Sequence, residues 1–166
     1  MKTNITSLMT LIAEEERNFN SKSYTLITSA MNTTVEELDG RKNIIEDNKE
    51  SFNVDLSEIE KSSKEITKLK SILYNKNNEL KLTDGRSIQE AIVDNTNLRK
   101  LKSTYEALLT LKNSKKRITE VNNSYFECKT INFDSKKIKE EIEKMDIQIQ
   151  KTDFEISKLN SIEFEI

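Results

Sequence analysis

The sequence predicts an all-α protein, with long helices folded as an antiparallel coiled-coil-like bundle and a short β-hairpin before the last helix. Three observations predict it. The 166 residues contain no proline and only two glycines, so little interrupts a helix once it has begun. Hydrophobic and charged residues each make up 34%, a lean supply that suits helices burying one stripe better than a compact ball. Apolar residues also recur at steps of seven over long stretches. A single helical domain over 1–166 is expected. Within it lie N-terminal helices over 1–54, a helical hairpin over 55–116 around Asp84-Gly85, a β-hairpin over 117–133 and a C-terminal helix over 134–160.

Ile5, Ile12, Phe19 and Leu26, with Leu8, place a stripe along a first helix of residues ~4–30. The stripe is thin, because Glu15, Lys22 and Ser29 fill its other row. Thr34 and Glu37 have the residue types of a capping box and suggest a helix restarting near Thr33. From Met31 a second series continues through Leu38, Ile45, Phe52, Ile59, Ile66, Leu73 and Leu80. It extends helix over 31–54, with a break expected near Gly40 or Asn53–Asp55 because glycine inside a helix costs about 1 kcal/mol. Asn75, Asn77 and Asn78 end this helix, and Asp84-Gly85 is the sharpest turn signal in the chain.

Ser87 with Glu90 forms the next capping box. The third helix carries Ala91, Leu98 and Tyr105 in one row and Leu101 and Leu108 in the other, and should end near Lys116 where Lys112, Lys115 and Lys116 suit a helix C-terminus. Residues 117–133, rich in β-branched and aromatic types around Asn122-Asn123-Ser124, read as a β-hairpin. Asp134 then caps the last helix, with Phe133 stapled on Ile138. That helix has the cleanest heptad: Ile138, Ile142, Met145, Ile149, Thr152, Ile156 and Leu159, with Thr152 as its polar member.

The composition removes several chemistries. There is no histidine and one cysteine, so a histidine-based triad, a Cys/His zinc site, a ferritin-like Glu-x-x-His site and an internal disulfide are all excluded. The net charge of −2 comes from 27 basic and 29 acidic residues interspersed along the chain, which gives no single-sign field for a nucleic acid. No run of about 18 apolar residues exists for a transmembrane helix, and the N-terminus makes a poor signal peptide. Glu14, Glu15 and Glu16 point different ways along a helix and read as a solvated face, and Cys128 reads as a small buried hydrophobe.

The most specific local feature is Asp84-Gly85-Arg86, read as a structural motif in which Arg86 ties the turn by pairing with a carboxylate or a helix-end carbonyl. The segment Lys81-Leu82-Thr83-Asp84-Gly85-Arg86-Ser87-Ile88-Gln89-Glu90-Ala91-Ile92, followed by Leu98-Arg99, resembles the signature of a bacterial family often labelled septicolysin. The resemblance covers about residues 55–160 and leaves the first 50 unmatched. Thr96-Asn97 stands where the family's pattern has an Arg-Asp pair. The likeness implies a helical, coiled-coil-rich cytosolic homo-oligomer without established activity, while the family's name suggests a cytolysin.

These readings lead to a non-enzymatic, self-assembling helical scaffold or structural protein in the cytoplasm. Asp84, Gly85, Arg86 and Arg99 are its structural motif. Catalytic, metal and cofactor sites are not expected. The expected partner is another copy of the chain, with neither nucleic acid nor membrane. Two alternatives are a cytolysin-like membrane-acting protein and a carboxylate-dependent enzyme.

Overall fold

A computed structural model describes residues 2–166. Among them the chain forms four helices and three two-stranded sheets. With 62% of residues in helices and 18% in strands, the all-α expectation is corrected to a mixed, mostly helical fold. Two compact units divide the chain, the first reaching Glu79 and including Asn160–Ile166, the second spanning Leu80–Leu159. No helix of the described residues is long and apolar enough to cross a membrane.

The first unit contains β1 (Lys2–Thr3), α1 (Ile5–Thr28), β2 (Thr33–Glu36), β3 (Lys42–Glu46), α2 (Lys49–Glu79) and, from the far end of the chain, β6 (Phe164–Glu165). Asn4 caps α1 by accepting from the Ser7 amide at 2.8 Å. The main correction lies at 31–54. The sequence suggested a broken helix there, but β2 and β3 pair antiparallel and α2 begins only at Lys49. Thr33, Thr34, Val35, Ile44 and Ile45 are β-branched residues that fit a ribbon, and Gly40, at φ +86°, turns the chain instead of interrupting a helix. Thr34 and Glu37 therefore cap nothing. Asn32 and Asn48 clamp the base of the ribbon, as the Asn48 amide donates to Asn32 Oδ1 at 2.7 Å and Asn48 Nδ2 to the Met31 carbonyl at 2.9 Å.

α1 and α2 run antiparallel along a seam that changes character from end to end. At one end Leu8, Ile12 and Leu69 form a buried cluster flanked by Leu11, Ile72, Leu73 and Phe164, beside the β1–β6 pairing. Nearer the ribbon the same heptad positions are filled by Glu15, Lys22 and Ser29 on α1 and by Asp55 and Ser62 on α2. Lys22 pairs with Glu58 at 2.8 Å and Ser29 donates to Asp55 at 3.1 Å, while the buried Ser62 hydroxyl has no partner.

The second unit contains α3 (Ile88–Leu109), β4 (Ser114–Glu120), β5 (Asn123–Lys129) and α4 (Ser135–Asn160), of which the last residue falls in the first unit. α3 stops at Leu109, short of Lys116, because Lys115 and Lys116 enter β4. β4 and β5 pair in unbroken register from Ser114↔Lys129 to Glu120↔Asn123, so the ribbon starts before residue 117 and turns at Val121-Asn122. Asp134 Oδ1 accepts from the Lys136 amide at 2.9 Å and opens α4. On α4 the buried and half-buried positions include all seven residues of the heptad from Ile138 to Leu159. On α3 the apolar row read through Leu101 is wrong, since Leu101 is exposed and its place in the seam is taken by Asn95 and Lys102.

Candidate functional site

The densest set of polar contacts surrounds Asp84-Gly85-Arg86 and lies wholly within the second unit. The turn is closed by the Leu82 amide donating to the Arg86 carbonyl at 2.8 Å and the Gly85 amide to the Leu82 carbonyl at 3.0 Å. Gly85 has φ +89° with open space where a Cβ would stand, so backbone conformation alone demands glycine here. Leu82 and Ile88 are buried on either side of the turn and fix its flanks. Ser87 then caps α3 through the reciprocal box read in the sequence. Its Oγ accepts from the Glu90 amide at 3.1 Å, and Glu90 Oε2 accepts from the Ser87 amide at 2.6 Å.

Arg86 joins two carboxylates. Its Nε and Nη2 donate to Asp84 Oδ2 at 2.9 and 2.6 Å, and its Nη1 to Asp94 Oδ2 at 2.8 Å. The hydrogen bond from Arg86 holds the Asp84 carboxyl below its ordinary value, and the two carboxylates push the guanidinium further up. Glu155 of α4 accepts from the Thr83 amide at 3.0 Å and the Thr83 hydroxyl at 2.8 Å, contacts that lower its carboxyl. The Ser87 amide does the same to Glu90.

Arg99 meets α4 in a separate set of contacts, two residues along that helix from Glu155. Asp153 accepts from Arg99 Nη2 at 2.5 Å and from Asn95 Nδ2 at 2.9 Å. Asn95 is 2% exposed, and the same Nδ2 lies 3.3 Å from the Ile149 carbonyl, a polar peg through the α3–α4 seam. Lys102 pairs with Asp146 one step further along, which keeps the two helices antiparallel.

Of the four residues singled out in the sequence, Asp84, Gly85 and Arg86 form the turn, and Arg99 reaches Asp153 on α4. Sequence reasoning missed Thr83, Asp94, Asn95, Asp153 and Glu155. For Asn95 the signal was present, since continuing the frame Ile88, Ala91 by four reaches it. A second Asp-Gly-Arg at 39–41 was also missed, although the tripeptide repeats literally. There the Arg41 amide and Nε donate to Asp39 at 3.1 and 2.6 Å, and the Glu37 amide bonds the Arg41 carbonyl at 2.8 Å. Cys128, expected to be buried, is exposed.

Chemically the network is closed on itself. A general acid or base works best with a pKa near the operating pH, whereas the shifted groups here move away from neutrality: Asp84, Glu90 and Glu155 downward, Arg86 and Lys102 upward. Among the described residues no group of three or more Cys, Asp or Glu side chains is placed to hold a metal ion. The surface groove beside the turn, lined by Arg86, Gln89, Glu90, Val93 and Asp94, is shallow and open.

No family model matches the chain, and no curated protein matches it. Among solved structures, a protein from Corynebacterium diphtheriae described as a functionally unknown conserved protein shares the fold, with a TM-score of 0.63 over 99% of this chain and 100% of that one at 17% identity.

Proposed function

We propose that the protein is a non-enzymatic, self-assembling helical scaffold or structural protein acting in the cytoplasm, with further copies of itself as partners. The observation that carries this reading is the distribution of apolar side chains. Among the described residues nine hydrophobic residues are buried, while Tyr24, Ile27, Leu38, Ile147 and Phe154 stand at 64% exposure or more. Covering such residues between copies recovers about 25 cal/mol per Å² of apolar surface that the lean core leaves in water. The saturated network around Arg86 supports a structural rather than a catalytic use of its carboxylates. The likeness of residues 81–99 to the septicolysin signature agrees with a homo-oligomeric helical protein. A membrane-acting role is less well supported, because β4 and β5 hold seven residues each, short of the ~9–11 that a membrane-spanning strand needs.

Light scattering after gel filtration tests the proposal. At tens of micromolar the expected mass is a multiple of the 19.3 kDa chain. A species of one chain mass at every concentration would remove the self-assembly reading.

A further inference from the structure

Each unit presents a ribbon of two strands to solvent. Every residue of β2, β3 and β5 is exposed, and in β4 only Ile118 is half-buried. An isolated two-stranded ribbon is at best marginally stable in water, and the outer edges of both carry unpaired backbone donors and acceptors. Apolar side chains stand on each: Val35, Ile44 and Ile45 on the first, Tyr125 and Phe126 on the second. The ribbons also differ in sign. Over 33–46 there are four carboxylates (Glu36, Glu37, Asp39, Glu46) against Arg41 and Lys42, a net charge of −2. Over 114–129 four cations (Lys115, Lys116, Arg117, Lys129) face Glu120 and Glu127, a net charge of +2.

Internal pairing leaves this imbalance standing. In the acidic ribbon both cations are engaged, Arg41 by Glu37 and Asp39 and Lys42 by Glu36. In the basic ribbon Glu127 takes Lys129 and Glu120 accepts from the Tyr125 hydroxyl. Lys115 lies over the Phe126 ring at 4.3 Å, and among the described residues Lys116 and Arg117 have no ion-pair partner.

We infer that the acidic β2–β3 ribbon of one copy docks on the basic β4–β5 ribbon of a second copy, edge to edge, with opposite charges selecting the pairing. The inference deepens the self-assembly reading and rests on it. The contact joins different surfaces of the two copies, so it builds a ring or an open chain of copies, the smallest ring being a dimer in which the ribbons dock reciprocally.

The test reverses each ribbon separately. One variant carries Lys115→Glu, Lys116→Glu and Arg117→Glu; the other carries Glu36→Lys and Glu46→Lys, sparing Glu37 and Asp39, which hold the turn. Helical content by circular dichroism reports whether each still folds. The wild type should exceed one chain mass and dissociate at least tenfold more readily in 0.5 M than in 0.05 M salt. Either variant alone should run as one chain mass, and an equimolar mixture should regain the wild-type mass, because each then offers the charge the other lacks. Oligomers unaffected in both variants would overturn the docking surface while leaving self-assembly intact. A mixture that stays dissociated would overturn the pairing of acidic with basic ribbon by charge. A wild type of one chain mass overturns both proposals, and if it also shifts a single-stranded oligonucleotide through Lys115–Arg117, the basic ribbon serves a nucleic acid instead.

Discussion

At residues 37–41 and again at 82–86 an Asp-Gly-Arg sequence closes a turn with the same parts: a glycine at positive φ, and an aspartate accepting from the amide and Nε of the arginine two residues on. Around Gly40 the turn ends a ribbon whose residues all face water. Around Gly85 it is flanked by buried Leu82 and Ile88, leads into a capped helix and is gripped by Glu155 from α4. The tripeptide specifies the shape in both places. Long-range contacts specify how much the rest of the fold depends on it.

The largest effect should come from the seam behind the anchored turn. Ile149, 7% exposed, sits where Asn95 reaches the α4 backbone, and Ile149→Asp should cost about 3 kcal/mol or more by stranding a charge. Gln148→Asp, on the exposed side, should cost about 0.5 kcal/mol. Equal shifts in chemical denaturation would show that α4 is not held through this face. The comparison itself is broken or kept by a matched pair of glycine substitutions. Gly85→Val should destabilise by about 1–3 kcal/mol, because the residue must hold a positive φ that a β-branched side chain resists. Gly40→Val meets the same strain, at φ +86° against +89°, yet should change global stability by less than about 0.5 kcal/mol, since the ribbon can fray without exposing core. Equal losses would mean that the first ribbon is integral to the fold.

The smallest effect is one of pH. Asp84, Glu90 and Glu155 titrate below their ordinary values of 3.8, 4.5 and 4.5, so the unfolded chain binds protons before the folded one does. Their stabilisation is complete above about pH 4.5 and disappears as the pH falls through the lowered folded values. Thermal midpoints at pH 7 and pH 3 should therefore differ, and Glu155→Gln should narrow the difference. An unchanged difference would show that the Thr83–Glu155 contact does not tie the turn to α4.

Local features were legible in the sequence. The Asp84-Gly85 turn, the Ser87–Glu90 box and the α4 heptad each depend on residues within a few positions of one another. The β2–β3 ribbon was not, because Met31, Leu38 and Ile45 continue by coincidence the step of seven that belongs to α2. Short-range β-branching at Thr33–Val35 and Ile44–Ile45 was the better guide. Leu101 misled for a related reason: it is apolar and at a heptad step, but Asn95 and Lys102 buy their places in the seam with hydrogen bonds and an ion pair to α4. Such partners, more than 40 residues away in sequence, leave no mark in local composition.

The uneven seam between α1 and α2 has a consequence for how the first unit comes apart. Parting the helices at the β1–β6 end brings Leu8, Ile12 and Leu69 into water, at about 1.5–3 kcal/mol for each side chain. Parting them at the ribbon end exposes Lys22, Glu58, Ser29 and Asp55, which exchange each other for solvent, and with them the already half-buried apolar side chains of Leu26, Phe52 and Ile59. It also relieves the unpaired Ser62 hydroxyl, so it costs less. Transient excursions from the native state therefore begin beside the ribbon and run down the helices like a zip, halting at the leucine cluster. Amide protons near Ser29 and Asp55 open in these partial events, while those near Leu8 and Leu69 wait for the whole unit to unfold.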